Sequence, residues 1–296
     1  MAKRRFPIPT RKTVPPYEYA PPRRPRIGTS PAALAALAWL GLLVLAIVVG
    51  PMLIHRDPLA MAPGQRLLPP SWQHPAGTDL FGRDVLARLL HGGRLTLGIA
   101  GLAVLIAALP GIALGLVAGY VGGWVDRLIG WLVNVMLSFP AVLLALTIVA
   151  ALGTGTFNVV IAVGVSAIPT YTRLVRGQVL SARRQPYVRA AVVVGNRPLR
   201  IVLRHILPNV FGPIIVLATL DVGWAILNAS ALSFLGLGVQ PPTAEWGLML
   251  NEGRGFLRDA PWVTTAPGLA IASTVLAANL LGDALRDILD PRQRRR

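Results

Sequence analysis

The sequence predicts an all-α membrane protein with about six transmembrane helices and both termini on the cytoplasmic side. Three observations carry that prediction. Hydrophobic residues make up 54% of the chain and charged residues only 14%, where a soluble domain carries roughly 25% charged residues. Several apolar runs reach the ~20 residues needed to cross a bilayer. The basic residues gather at alternate ends of those runs, the positive-inside pattern that fixes orientation. Of the 29 Lys and Arg, eight lie in residues 1–30, eight lie between Arg173 and Arg204, and five lie from Arg286 onward. A net charge of +17 in a soluble protein would point to nucleic acid, but this distribution sets it against a membrane surface, so nucleic-acid binding is excluded. The chain has no cysteine, which rules out a disulfide framework and a thiolate metal site.

In chain order, residues 1–30 are rich in Pro and Arg and read as an extended cytoplasmic tail. The apolar run that follows, residues 31–54, is too long for a cleavable signal peptide and is the first span. Residues 55–93 should lie outside. They hold an amphipathic helix capped by Thr78 or Asp79, with Asp84 and Arg88 paired at i,i+4 and Leu86, Leu89 and Leu90 on its apolar side. Such a helix either lies in the headgroup plane or forms a ledge for another protein. Residues 94–284 hold the remaining spans. The first of these covers 94–120, where Gly111, Gly115 and Gly119 share one face and permit close helix approach. Gly122-Gly123-Trp124 makes a short cytoplasmic turn. The third span covers 128–152, with Pro140 as a kink. An uncharged outer turn at 153–157 leads to the fourth span at 158–180.

Residues 181–209 are the organising stretch, basic and amphipathic between two apolar runs. Tyr187, Ala190, Ala191 and Val194 fall at i, i+3, i+4 and i+7, one face of a short helix. Gly195 suits the left-handed conformation that closes it, and Asn196 suits the cap of a second helix with Pro198 in its first turn. In that second helix Leu199, Val202, Leu203 and Ile206 repeat the spacing, while Arg197, Arg200 and Arg204 line the other side. Pro208 precedes the next apolar run. Two small cationic helices on one loop form a docking surface.

The fifth apolar segment, 208–237, holds Asp221, Asn228 and Ser233. An ionisable group at membrane depth faces a path or a bonded neighbour, and both readings of Asp221 stand. Residues 238–261 balance Glu245, Glu252 and Asp259 against Arg254 and Arg258, which suits an outer loop or short helix dipping toward a path. The last span covers 262–281, and 285–296 is a basic cytoplasmic tail. Trp39, Trp72, Trp124, Trp246 and Trp262 read as interfacial anchors.

The residues also carry a resemblance. Ala190-Ala191, Gly195 and Leu207-Pro208 resemble the loop of ABC-importer permeases that seats in a groove of the ATPase subunit. The runs VRAAVVVGNRPLRIVLRHILPNVFGP, HPAGTDLFGRDVLARLLHGGR and SFLGLGVQPPTAEWG resemble the dipeptide/oligopeptide/nickel branch of that family. The chain departs from the pattern at Arg189, where the loop usually carries a glutamate. The resemblance covers roughly residues 30–292. It implies a type I ABC-importer permease of a bacterial or archaeal cytoplasmic membrane that itself binds no cofactor. It further implies a related permease completing a heterodimer, two ATPase subunits holding ATP and Mg, and an extracytoplasmic binding protein delivering di- or oligopeptide. Nickel and glutathione importers share these stretches. With the helical spacing above, the candidate coupling residues are Tyr187, Arg189, Ala190, Ala191, Gly195, Asn196, Leu199, Arg200, Leu203 and Pro208. The candidate path residues are Asp221, Asn228 and Ser233.

Other classes are weaker. A P-loop needs G-x-x-x-x-G-K-[ST], and the only lysines, Lys3 and Lys12, do not follow a glycine, so the chain is not the ATPase. His55, His74, His91 and His205 lie outside the expected spans. That leaves Ser166 without a facing base for an intramembrane protease, and the histidines have no metal-ligand spacing. An ion-coupled carrier needs several intramembrane acids or a pair of broken helices, and only Asp221 qualifies.

Overall fold

A computed structural model describes residues 31–289. The expectations for the 1–30 tail and for residues 290–296 lie outside that range. Helix α1 (Pro31–Leu53) is apolar all round and packs lightly along α10 (Trp262–Leu289). Helix α2 (Val85–Val121) has 37 residues, a length of roughly 55 Å at 1.5 Å per residue, well beyond the ~30 Å of hydrocarbon. Helices α3 (Gly123–Leu137) and α4 (Ala141–Leu152) are followed by α5 (Thr156–Arg183), and α5 lies along α2 in the most extensive helix contact of the fold. Beyond α5 come α6 (Pro186–Val193), α7 (Pro198–Ile201), α8 (Leu207–Phe234) and α9 (Trp246–Gly253). Among the described residues five helices are long and apolar enough to cross a membrane, and up to six spans result if the bent α3–α4 pair counts as one.

The α2–α5 seam explains the glycine spacing. A Cβ at Gly111, Gly115 or Gly119 would stand 2.5 to 2.7 Å from the Cβ of Tyr171, Val175 or Val179 respectively. Only hydrogen fits there, and the two backbones close on each other along three turns. The main core joins α2, α4, α5, α8 and α9 through Ile99, Ala103, Val160, Ile226, Leu232 and Trp246.

Three expectations about elements are corrected. No separate helix lies in the headgroup plane at 78–93. Thr78 and Asp79 belong to a folded loop, Asp84 is the N-cap of α2 and accepts from Ala87 N at 2.9 Å, and the helix runs unbroken into the span. Pro140 does not merely kink a span, because α3 and α4 meet at 90°. Proline pushes the preceding residue, here Phe139, out of the helical region, so the chain turns instead of bending. The second docking helix is not a separate unit either. Residues 198–201 pass through a π-helical turn, Val202–Ile206, directly into α8. Pro208 has no N–H and would clash with the carbonyl four residues back in a regular helix, and widening the turn absorbs it. Leu207 N bonds to Val202 O across that turn, and Asn209 Nδ2 satisfies His205 O at 2.7 Å.

Candidate functional site: the docking loop and the charged corner

Helix α6 begins at Pro186 and ends in a Schellman closure. Gly195 has φ +81°, a conformation glycine adopts without cost. Gly195 N bonds to Val192 O and Asn196 N to Ala191 O, the paired bonds that close such an end. Asn196 therefore finishes α6 and does not cap α7; its Nδ2 donates to Ala191 O at 3.2 Å. The N-cap of α7 is Arg197, with Pro198 in the first turn.

The structure assigns the two sides of the loop, which helical spacing left open. Val188 and Ala191 of α6, with Ile201, Ile206 and Val210 below, pack on Val175, Val179 and Ala182 of α5. Tyr187, Ala190 and Val194, which share a helical face with Ala191 by spacing, are exposed, as are Leu199 and Leu203. The outer surface is thus apolar, with Val193 86% and Leu199 69% exposed. Arg189, Arg197, Arg200 and Arg204 surround it, all exposed. None of them forms an ion pair among the described residues, and the sequence from Arg173 to Leu220 contains no acid.

Of the candidate path residues, Asp221 is partly enclosed on α8, near the fully buried Tyr171 of α5. Asn228 is buried and donates to Trp224 O at 2.8 Å. Ser233 is enclosed, and its hydroxyl accepts from Val239 N where the chain leaves α8.

A second constellation was missed in the sequence. In the 55–93 loop, Arg83 Nε donates to Asp79 Oδ2 at 2.6 Å and Arg88 Nη1 reaches the same oxygen at 2.9 Å. Both arginines also hold Glu252 Oε2 of α9, at 2.8 and 2.7 Å. Asp84 pairs with Arg56 and with His74, not with Arg88 as the i,i+4 spacing implied. Burial disfavours the charged form of Asp84. The Ala87 N–H, His74 and Arg56 more than offset it and hold its pKa below the usual carboxylate range. Burial pushes Glu252 up to about 7, with Arg83 opposing. Glu245 is also buried and caps α9, accepting from Gly247 N and Leu248 N at 2.9 Å, while Thr96 Oγ1 of α2 donates to it at 3.1 Å. Trp246 and Trp262 are structural donors to Leu89 O and Thr78 O, which corrects their reading as interfacial anchors. The available signal was arginines and acids in near-equal number at 79–88 and 245–259.

No group of three or more potential metal ligands occurs among the described residues.

Residues 111–295 match the family described as binding-protein-dependent transport system inner membrane component. The chain is 44% identical over 262 residues to the dipeptide transport system permease protein DppC of Alkalihalophilus pseudofirmus, covering 88% of this chain and 86% of that protein. It is 50% identical over 223 residues to the glutathione transport system permease protein GsiD of Escherichia coli O157:H7, covering 75% of this chain and 74% of that protein. Among solved structures, the inward-facing MetNI methionine ABC transporter aligns with a TM-score of 0.55 at 17% identity, over 68% of this chain and 96% of that one. That last likeness is one of fold.

Proposed function

From the premise that the chain belongs to the binding-protein-dependent transport system inner membrane component family, we propose that it is the membrane permease subunit of an ATP-driven importer of short peptides. Its relatives named for dipeptide and for glutathione both point to a small peptide carrying a free carboxylate. A second permease completes the path, two ATPase subunits supply the work, and an extracytoplasmic binding protein delivers the substrate. The basic ends, with both termini, face the cytoplasm.

The observation that carries this reading is the exposed face of the docking loop. Val192, Val193, Val194, Leu199 and Leu203 stand in solvent, and burying one such side chain fully is worth roughly 1.5–3 kcal/mol. Five together, ringed by unpaired arginines, fit a groove with an apolar floor and acidic walls. Residues Tyr187, Arg189, Ala190 and Arg200 are presented by the same surface, and Ala191 acts from beneath, holding α6 on α5. Arg189 in the usual place of a glutamate means that this site meets its partner with positive charge.

The mechanism follows from continuity. Residues Pro198–Phe234 form one 37-residue helical rod, continuous through the π turn that accommodates Pro208. A displacement at Leu199 is carried to Asp221, roughly 35 Å away along the helix axis. The Gly195 turn sets the angle between α6 and this rod. ATP-driven closure of the two ATPases would thereby switch the spans from inward-open to outward-open.

Purification in mild detergent tests the proposal. An ATP-hydrolysing subunit is expected to accompany the chain, and its absence together with peptide uptake that does not depend on ATP would reject the proposal.

A further inference from the structure

We propose that the cavity between α3 and α5 binds a phosphate group, supplied by the headgroup of an anionic lipid. The cavity encloses about 380 Å³ and is lined by Arg127, Gly130, Trp131, Asn134, Arg173 and Arg176, together with Asp126. Its charges do not balance. Arg176 is neutralised by Asp126, with Nη2 to Oδ2 at 2.7 Å. Arg173 donates only to the neutral amide of Asn134, at 3.2 Å, and Arg127 has no ion pair among the described residues. Two guanidinium groups thus face one cavity with no counter-charge. A phosphate offers them several acceptor oxygens in the geometry a guanidinium fork matches.

The surroundings identify the bearer of that phosphate. Helix α3 is amphipathic: Trp124, Leu128, Trp131, Leu132 and Val135 are exposed, and their spacing of four, three, one and three puts them on one stripe. Asp126, Arg127 and Asn134 stand on the cavity side. Helix α4 packs into the main core through Ala145 and Val149, and α3 stands at 90° to it. A helix of this kind sets its apolar stripe among acyl chains and its polar side among headgroups. The cavity opens where the two meet, and Trp131 is both exposed and part of its wall. It lies at the docking-loop end, where Arg183 of α5 reaches Gly119 O. Under the orientation proposed above that end is cytoplasmic, the leaflet side on which basic pockets between helices hold anionic headgroups.

The test uses the full chain purified in mild detergent with equimolar phosphatidylglycerol and phosphatidylcholine, read by native mass spectrometry. The parent protein is expected to retain phosphatidylglycerol in preference. Arg127→Gln and Arg173→Gln each reduce that retention by about fivefold, the factor one arginine contributes near an anionic surface. Arg66→Gln, an exposed arginine at the opposite end, leaves it unchanged. Arg127 is exposed and outside the Asp126–Arg176 pair, so its replacement leaves the fold intact. Saturable binding of inorganic phosphate that is lost in Arg127→Gln, with no lipid preference, would keep the anion site and assign free phosphate as its ligand. Equal retention of the two lipids with no phosphate binding, or retention indifferent to both substitutions, would overturn the proposal. Orientation is checked separately by labelling Arg127→Cys from either side of sealed vesicles, so a wrong orientation and an absent site give different results.

Discussion

The charged corner around Glu252 and the docking loop around Gly195 are both rich in arginine, yet they handle it in opposite ways. At the corner, Arg83 and Arg88 are buried and share two carboxylates drawn from distant parts of the chain. Every charge there finds its partner inside the molecule. At the loop, Arg189, Arg197, Arg200 and Arg204 lie in solvent beside bare valines and leucines. Groups completed within one chain hold a shape. Groups left incomplete await another molecule. The corner staples the start of α2 to α9, and the loop stays exposed, as the proposed coupling to an ATPase subunit requires.

Substitutions that break this contrast should rank by how much buried charge they strand. Arg88→Ala removes the guanidinium between Asp79 and Glu252 and leaves buried carboxylate under-compensated. It is expected to cost about 3–5 kcal/mol, visible as a large fall in the thermal unfolding temperature in detergent. A wild-type transition would show the corner to be dispensable.

The pH response comes next. Glu252 has its pKa raised to about 7, so the folded protein binds this proton more tightly than the unfolded chain does. Its contribution is fully present below 4.5, the ordinary glutamate value, and is lost as pH rises toward 7. Asp84 has its pKa lowered, so its contribution is present above 3.8 and is lost as pH falls through the lowered value. The two contributions are both fully present only between 3.8 and 4.5, so these two groups alone make stability decline from that window toward neutral pH and toward stronger acid. Glu252→Gln should flatten the decline between pH 4.5 and 7; an unchanged slope would dissociate the decline from this residue.

At the loop the stability effects are smaller and the functional ones larger. Gly195→Val forces a β-branched residue to φ +81°, at a cost of roughly 1–2 kcal/mol. It should uncouple ATP hydrolysis from uptake, because the angle between α6 and the rod shifts. Unchanged transport would remove Gly195 from the mechanism. Val193→Ser, on a side chain with 86% of its surface free, should alter stability by no more than about 0.5 kcal/mol while weakening capture of the ATPase subunit. If it lowered stability as much as Arg88→Ala, the loop would be an internal element like the corner.

Much of this architecture was legible locally. Apolar run lengths gave the spans, and the four-residue spacing of Gly111, Gly115 and Gly119 announced a close seam because glycine on one face has a single steric meaning. The corner was not legible, since Arg88 and Glu252 are 164 residues apart and helical spacing offered Asp84 as a nearer partner. The loop misled for another reason. Both sides of α6 are apolar, with Val188 and Ala191 inward and Val192, Val193 and Val194 outward, so periodicity located stripes without saying which one met α5. Pro140 and Pro208 show that proline marks a place without fixing an outcome: one ends a helix at a right angle, the other is absorbed by a widened turn.

The central claim is that the outer face of the loop is a seat for a separate engine. The chain has no native cysteine, so Val193→Cys and Val188→Cys differ only in the side of α6 that carries the thiol. A thiol-reactive crosslinker in native membranes should join Val193→Cys to a nucleotide-hydrolysing subunit and leave Val188→Cys unreacted. Capture of that subunit from neither position, with Val193→Cys giving only hydrolysed crosslinker or lipid adducts, would contradict the account.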